Sequence, residues 1–327
     1  MNLRCSVAEC TVADTGICVQ ENSADSCPNL LPTDGAASEE VIKLRDLPQR
    51  HQAPRFAGGF ELGLDSADQL LAERYGHLIG ILGSPKAGKT AALISLYLLL
   101  SRGQLKGYRF LDSYSLMAFE GLSRGARRWN HGSLPSEICG HTILADSRSP
   151  GFLHLRIKDE GRSLSRDLLL PDLPGEWTDM LVNKRQVERL AFLKRADAFW
   201  IVFHGKELME NRQHSLHRFG ILLDRLQESL IQDDSVPIVF VLTHADELTE
   251  PLDAVWIAVQ QQATERKLHI RTVAVASLSA AQQIQPGHGI ADLLDAAFDG
   301  TPNRATGPSR ILGHDTRSVL RFEVEHE

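Results

Sequence analysis

Apolar residues along the chain fall into two kinds of run. Short, nearly unbroken stretches of Val, Ile, Leu, Phe and Trp at 77–82, 196–204, 237–242 and 271–276 are bounded by polar or turn residues. Runs of that length and density read as strands buried on both faces, as in a parallel sheet. Between them lie longer segments suited to helices, at 60–75, 91–100, 114 to about 122, 178–195, 207–232, 253–267 and 289–298. In the first, Ala67, Leu70, Leu71 and Tyr75 share a face, and Asp65 or Ser66 serves as its cap. Strands alternating with helices predict an α/β chain: a three-layer αβα fold around a mostly parallel sheet. One stretch departs from this. Residues 152–158 alternate, Glu160-Gly161 turns, and 165–170 follows as a second strand, which predicts a hairpin with one antiparallel strand at the sheet edge. Residues 107–111 add a short strand, with Asp112 or Ser113 as the next cap.

The remainder sets the boundaries. The pattern predicts a core domain over 60–300, preceded by a four-cysteine segment at 1–30 and a Pro-, Ala-, Ser- and acid-rich linker at 31–59. A short element is expected within 41–47. A Pro-, Gly- and Arg-rich tail follows at 301–327, with a strand expected at 318–324. Residues 125–149 are polar and aperiodic and carry Arg127, Arg128 and Trp129. No internal repeat is evident.

Composition narrows the partners. The 327 residues carry a formal charge of −7, which argues against charge-driven nucleic-acid binding. The longest apolar run, 91–100, is half of the ~20 residues that span a bilayer. The start of the chain lacks a signal-peptide pattern, so a cytoplasmic protein without membrane contact is expected. Four of the five cysteines, Cys5, Cys10, Cys18 and Cys27, fall in the first 27 residues. In a reducing compartment, four clustered thiolates point to a structural tetrahedral Zn²⁺ rather than to disulfides. Gly16 suits a turn before Cys18, and Pro28 stiffens the exit after Cys27. Cys139 reads as an ordinary thiol.

The chemistry centres on Gly83-Ser84-Pro85-Lys86-Ala87-Gly88-Lys89-Thr90, a G-x-x-x-x-G-K-T run between a strand and a helix. Its backbone amides suit a polyphosphate cradle, reinforced by the helix N-terminus. Lys89 would reach the β- and γ-phosphates, and the Thr90 hydroxyl would ligate Mg²⁺. Downstream, Asp172-Leu173-Pro174-Gly175 leaves a strand as D-x-x-G. Asp172 would hold Mg²⁺ through water, and Gly175 would offer its N–H to the γ-phosphate. Thr142, with Ser147 behind it, is the candidate threonine that closes on Mg²⁺ from the polar loop. Thr243-His244-Ala245-Asp246 ends a core strand. There Asp246 would accept from guanine N1 and N2, Thr243 fits the same motif, and His244 would stack on the base. Ser277, at the tip of the last strand, would present a backbone amide to the base.

This order of motifs resembles the TRAFAC-type GTPases of the P-loop class. More narrowly, G-S-P-K-A-G-K-T, D-L-P-G-E, the four-cysteine start, G-G-F-E-L and F-L-D-S-Y-S-L-M-A-F-E resemble the bacterial double-GTPase group, second type. The resemblance covers most of residues 1–300. It implies a regulatory GTPase acting with a partner NTPase and effectors in bacterial conflict or phage defence. Two departures matter. Glu176 stands where Ras-like enzymes place a water-orienting Gln. A carboxylate accepts from water but cannot donate to the γ-phosphate, so slow hydrolysis is expected, with Arg127 or Arg128 as candidate internal arginine fingers. His244 replaces the lysine that usually covers the base. The leading expectation is a Mg²⁺-dependent GTP switch. The alternatives are a P-loop ATPase without guanine selectivity and a non-hydrolysing nucleotide-binding adaptor.

Overall fold

The computed structural model describes residues 4–7, 10–11, 27–31, 59–127, 150–232, 235–279 and 283–299. The chain divides into two units, 1–56 and 57–327. In the first, β1 (Arg4–Cys5) pairs antiparallel with β2 (Leu30–Leu31), Cys5 opposite Leu30. The backbone N–H and hydroxyl of Ser6 both donate to the Asn29 carbonyl, at 2.9 and 3.2 Å. The elements expected at 41–47 and 318–324, and the tail at 301–327, lie outside the described residues.

The second unit begins with α1 (Leu64–Glu73), β3 (Gly76–Leu82), α2 (Lys89–Ser101), β4 (Tyr108–Asp112) and α3 (Leu116–Arg127). The hairpin β5 (Phe152–Asp159) and β6 (Leu164–Pro171) follows, then α4 (Gly175–Lys184) and a 3₁₀ segment, Glu188–Arg195. Next come β7 (Ala198–His204), α5 (Gly205–Glu210), α6 (Arg212–Ser229) and β8 (Ile238–Thr243). The last elements are α7 (Asp253–Glu265), β9 (Ile270–Ala274) and α8 (Ile290–Phe298).

The strands form one seven-stranded sheet in the order β4-β5-β6-β3-β7-β8-β9. Neighbours from β6 to β9 run parallel, whereas β5 is antiparallel to both β6 and β4. The antiparallel strand therefore lies one place in from the edge, because β4 pairs outside it. Tyr108 is buried in β4, whereas Arg109, Leu111 and Asp112 face solvent, and a register shift breaks the pairing between Phe110 and Asp112. Such a short, irregular, charged strand suits an edge.

Buried strands with a period of two feed two cores. Leu78, Leu82, Leu169, Phe199, Ile201, Ile238, Phe240 and Leu242 pack with α1, α4, α6 and α7. Their chain neighbours Ile79, Ile81, Leu168, Leu170, Trp200, Val202, Val239 and Val241 pack with α2, α3 and α8. The result is the three-layer αβα sandwich that the pattern predicted.

Several boundaries differ from expectation. Residues 60–62 are not helical: Phe60 lies in a bend and Leu62 forms a bridge with Phe152. Helix α1 then starts at Leu64 behind Gly63, which offers no side-chain cap. Helix α3 runs past 122 to Arg127. The helix expected over 178–195 breaks at Arg185, which takes a left-handed conformation at φ 53°. Exposed Arg185 and Gln186 leave the helix there, and the 3₁₀ segment then buries Leu190, Phe192 and Leu193. The helix expected over 207–232 breaks at Asn211, φ −126° and ψ 47°, into α5 and α6.

Candidate functional site

The sheet delivers its candidate chemistry to one end, where β3, β6, β7, β8 and β9 finish. The loop after β3 is shaped by Gly88, which holds φ 91° and ψ 14° at the start of α2. A Cβ there would meet the Thr243 side chain at 3.0–3.1 Å, so the site excludes a side chain by both conformation and space. Lys86 is exposed and also left-handed, at φ 63°, while the Ala87 N–H donates to the Ser84 carbonyl at 3.2 Å. Ser84 is half-buried and Pro85 exposed.

Lys89, only 7% exposed, donates to the carbonyls of Gly83 and Ser84 at 2.8 and 3.0 Å. Burial lowers the pKa of its ammonium, and the charges of Asp172, Glu176 and Asp179 oppose that shift. The lysine thus sits in an acidic frame. Asp172 is buried at the end of β6, and the Thr90 hydroxyl donates to its carboxylate, 3.0 and 3.1 Å from the two oxygens. A hydroxyl at the head of α2 and a carboxylate at the end of β6 form a hard-oxygen pair that fits a Mg²⁺-sized cation.

The D-x-x-G turn lies against the phosphate loop. A Cβ on Gly175 would fall 2.1 Å from the Pro85 nitrogen and 2.5 Å from its Cα, so this approach requires glycine. Glu176 is exposed in the first turn of α4. Thr178, one turn further, accepts a hydrogen bond from the Gly83 N–H at 3.0 Å and binds α4 to the loop. Asp179 then pairs with Arg218 of α6. The sequence held no signal for Thr178 beyond its place after the glycine.

At the other flank, the Thr243 hydroxyl donates to the Ala87 carbonyl at 2.8 Å and lies 3.0 Å from Nδ1 of His244. His244 holds φ 55° and stacks on His204, ring centroids 3.9 Å apart and planes 12° off parallel. One imidazole face that the sequence offered to a base is therefore taken by His204, a residue the sequence did not single out. The strand register that sets His204 opposite Thr243 makes this contact, and it is a long-range feature. Burial lowers the His244 pKa first, then the neighbouring His204, against Glu247 and Asp246. Asp246 is half-buried in a short 3₁₀ turn, Ala245–Glu247, whose Ala245 N–H donates to the Val275 carbonyl at 3.1 Å. Ser277 is buried beyond β9, and its hydroxyl has no hydrogen-bond partner among the described residues.

The structure thus gathers the 83–90 loop, Asp172, Gly175, Glu176, Thr243, His244, Asp246 and Ser277 at one end of the sheet. Thr142, Ser147 and Arg128 lie outside the described residues, and Arg127 ends α3. Of the cysteines, Cys5 lies in β1, Cys10 and Cys27 are half-buried, and Cys18 lies outside the described residues. Among the described residues no group of three or more His, Cys, Asp or Glu is arranged to hold a metal. No described helix is long and apolar enough to cross a membrane.

A family model described as DO-GTPase2, Double-GTPase 2, matches residues 77–298. No curated protein matches the chain. Among solved structures, the chain is similar to the bacterial selenocysteine-specific elongation factor EF-Sec, at 16% identity and a TM-score of 0.38. That likeness covers 68% of this chain and 28% of the factor. A variant of SsGBP is similar at 15% identity and a TM-score of 0.35, over 69% of this chain and 57% of that one. The chain spans less than two thirds of either protein.

Proposed function

The chain belongs to the Double-GTPase 2 family, and from that premise we propose that it is a Mg²⁺-dependent GTP-binding switch with slow intrinsic hydrolysis. The observation that carries this reading is the junction of Thr90, Asp172 and Lys89 with Gly175 laid on Pro85. In it, the loop amides and Lys89 bind the β- and γ-phosphates, while Thr90 and Asp172 hold the cation. Bound Mg²⁺ neutralises charge on the phosphate oxygens. Gly175 offers its N–H to the γ-phosphate, so the turn and α4 respond to whether that phosphate is present. Asp246 and the backbone at Ser277 read guanine. Glu176 accepts from the attacking water but has no proton to donate to the γ-phosphate, which keeps hydrolysis slow. The ordered state acts on a protein effector or partner NTPase, and the family resemblance suggests a conflict or phage-defence setting.

A titration with labelled GTP, GDP and ATP, with and without Mg²⁺, tests this. The expected result is Mg²⁺-dependent binding with GTP preferred over ATP by 100-fold or more (~2.7 kcal/mol), a preference that Asp246→Asn abolishes. Equal affinities for GTP and ATP would favour the ATPase reading. Single-turnover hydrolysis no faster than that of Lys89→Ala would favour a nucleotide-binding adaptor. We further propose that Cys5, Cys10, Cys18 and Cys27 hold one structural Zn²⁺. The β1–β2 pairing supports this, because it joins the chain at Cys5 to the chain just after Cys27. Metal analysis of reduced protein should find one equivalent, and much less than one would reject it.

A further inference from the structure

The G-G-F-E-L segment before α1 has no part in the chemistry described so far, yet it is fastened at both ends. The Gly59 carbonyl accepts from the Ala118 N–H of α3 at 2.9 Å. Leu62 exchanges two backbone hydrogen bonds with Phe152, each 2.9 Å. Phe152 is in turn paired with Pro171, the residue before Asp172. The segment therefore takes a strand position beyond β5 at the end of the sheet where the phosphate loop lies.

The pleat then places its residues. Leu62 is buried with Leu78, Phe152 and Leu169 on the α1 face. Its neighbour Glu61 projects to the opposite face, the side from which α2 brings Thr90 to Asp172. The Glu61 carboxylate lies over the backbone of Gly151, where a Cβ would be 2.1 Å from Oε2. Burial raises the pKa of the Glu61 carboxyl, and the negative charge of Asp172 raises it further. Like-charged carboxylates disfavour each other's ionised form unless a cation offsets the charge. Glu61 is exposed overall, yet its carboxylate rests on the Gly151 backbone.

We propose that Glu61 is a positioning residue for the divalent cation of the nucleotide site, accepting hydrogen bonds from the water shell of the ion held by Thr90 and Asp172. Mg²⁺ gives up its waters reluctantly, so a carboxylate beyond the direct ligands acts by orienting them. Outer carboxylates of this kind typically contribute 10–100-fold in metal affinity. The proposal rests on the Mg²⁺-nucleotide reading above.

The test is Mn²⁺ titration of the nucleotide-loaded full chain, followed by electron paramagnetic resonance. Glu61→Gln keeps the side-chain shape and the strap's backbone bonds, and removes only the charge. It should raise the Mn²⁺ Kd at least tenfold, while Glu61→Asp keeps part of the affinity and Asp172→Asn loses more than either. Nucleotide affinity in EDTA should match wild type and the metal-free Tm should be no lower, whereas a merely structural role for Glu61 would lower it. A Mn²⁺ Kd for Glu61→Gln within twofold of a wild-type protein that binds Mn²⁺–nucleotide would overturn the proposal alone. A wild-type protein without divalent-dependent nucleotide binding would instead overturn the reading beneath it.

Discussion

The hydroxyl of Thr243 donates to the carbonyl of Ala87 across 2.8 Å, and the same side chain fills the space that a Cβ on Gly88 would need. One residue at the tip of β8 thus fixes the curvature of the phosphate loop just before α2 begins. The sequence offered Thr243 as part of a base-recognition motif. In the fold it also couples that motif to the 83–90 loop.

Thr243→Val preserves shape and removes the donor, leaving the Ala87 carbonyl without it in a buried setting. Loss of about 1–2 kcal/mol of stability is expected from such an orphaned acceptor. GTP affinity should fall about tenfold, the equivalent of ~1.4 kcal/mol, because the loop loses its fixed shape. Thr243→Ser should restore most of both. Thermal denaturation and labelled-nucleotide titration read the two effects separately.

What was legible in the sequence was what the local backbone dictates. The burial of β3, β7 and β8 on both faces was visible in their nearly unbroken apolar runs, because each face demands its own apolar set, Leu78 and Phe240 on one and Ile79 and Val239 on the other. Gly83, Gly88 and Gly175 stood out by their spacing in G-x-x-x-x-G-K-T and D-x-x-G, and the fold adds that each lies where another segment leaves no room for a side chain. The breaks at Arg185 and Asn211 were not visible, since the helical pattern continues through them and only packing rotates Leu190 and Leu193 inward. Nor was β4 beyond β5, because a five-residue strand carries no mark of which partner it chooses. Thr178, His204 and Glu61 escaped for a related reason. Each acquires its place through a partner 40 to 111 residues away, Gly83, His244 and Asp172 respectively.

His244 introduces a pH dependence. Burial and His204 hold its folded-state pKa below the ordinary imidazole value, so the native state binds fewer protons than the unfolded chain. Stability from this residue is therefore present above the unfolded value of about 6.5 and is lost as pH falls towards the folded one. Chemical denaturation between pH 5 and 8 should show stability rising with pH across this window. His244→Gln should flatten that rise, while costing up to about 1 kcal/mol at pH 8 through the lost stack. An unchanged slope would mean that His244 is not the group responsible.

Gly175→Ala tests the approach of the D-x-x-G turn to the phosphate loop. The added Cβ would lie 2.1 Å from the Pro85 nitrogen, and backbone cannot yield as a flexible side chain does. The turn must move away, and the Gly83–Thr178 hydrogen bond goes with it. On the proposed role of the Gly175 N–H at the γ-phosphate, GTP affinity should fall tenfold or more, the equivalent of ~1.4 kcal/mol, while GDP affinity changes little. Parallel titrations with the two nucleotides decide the matter: an equal loss for both would place the damage in the loop rather than in γ-phosphate sensing.

Glu176→Gln addresses the hydrolysis step itself. The residue is exposed in the first turn of α4, so the change leaves packing alone and replaces a carboxylate with an amide of equal length. The amide keeps an acceptor for water and gains a donor for the γ-phosphate. Single-turnover hydrolysis should therefore quicken about tenfold, a barrier lowered by ~1.4 kcal/mol. Stability should fall by about 0.3–1 kcal/mol, since a negative charge near the α4 N-terminus is favourable. Lys89 loses one of the charges that oppose the lowering of its pKa by burial, yet Asp172 and Asp179 still oppose it, so nucleotide affinity should hold. A slower variant with intact affinity would show that the carboxylate draws a proton from water, and that the step is slow for a reason other than a missing donor.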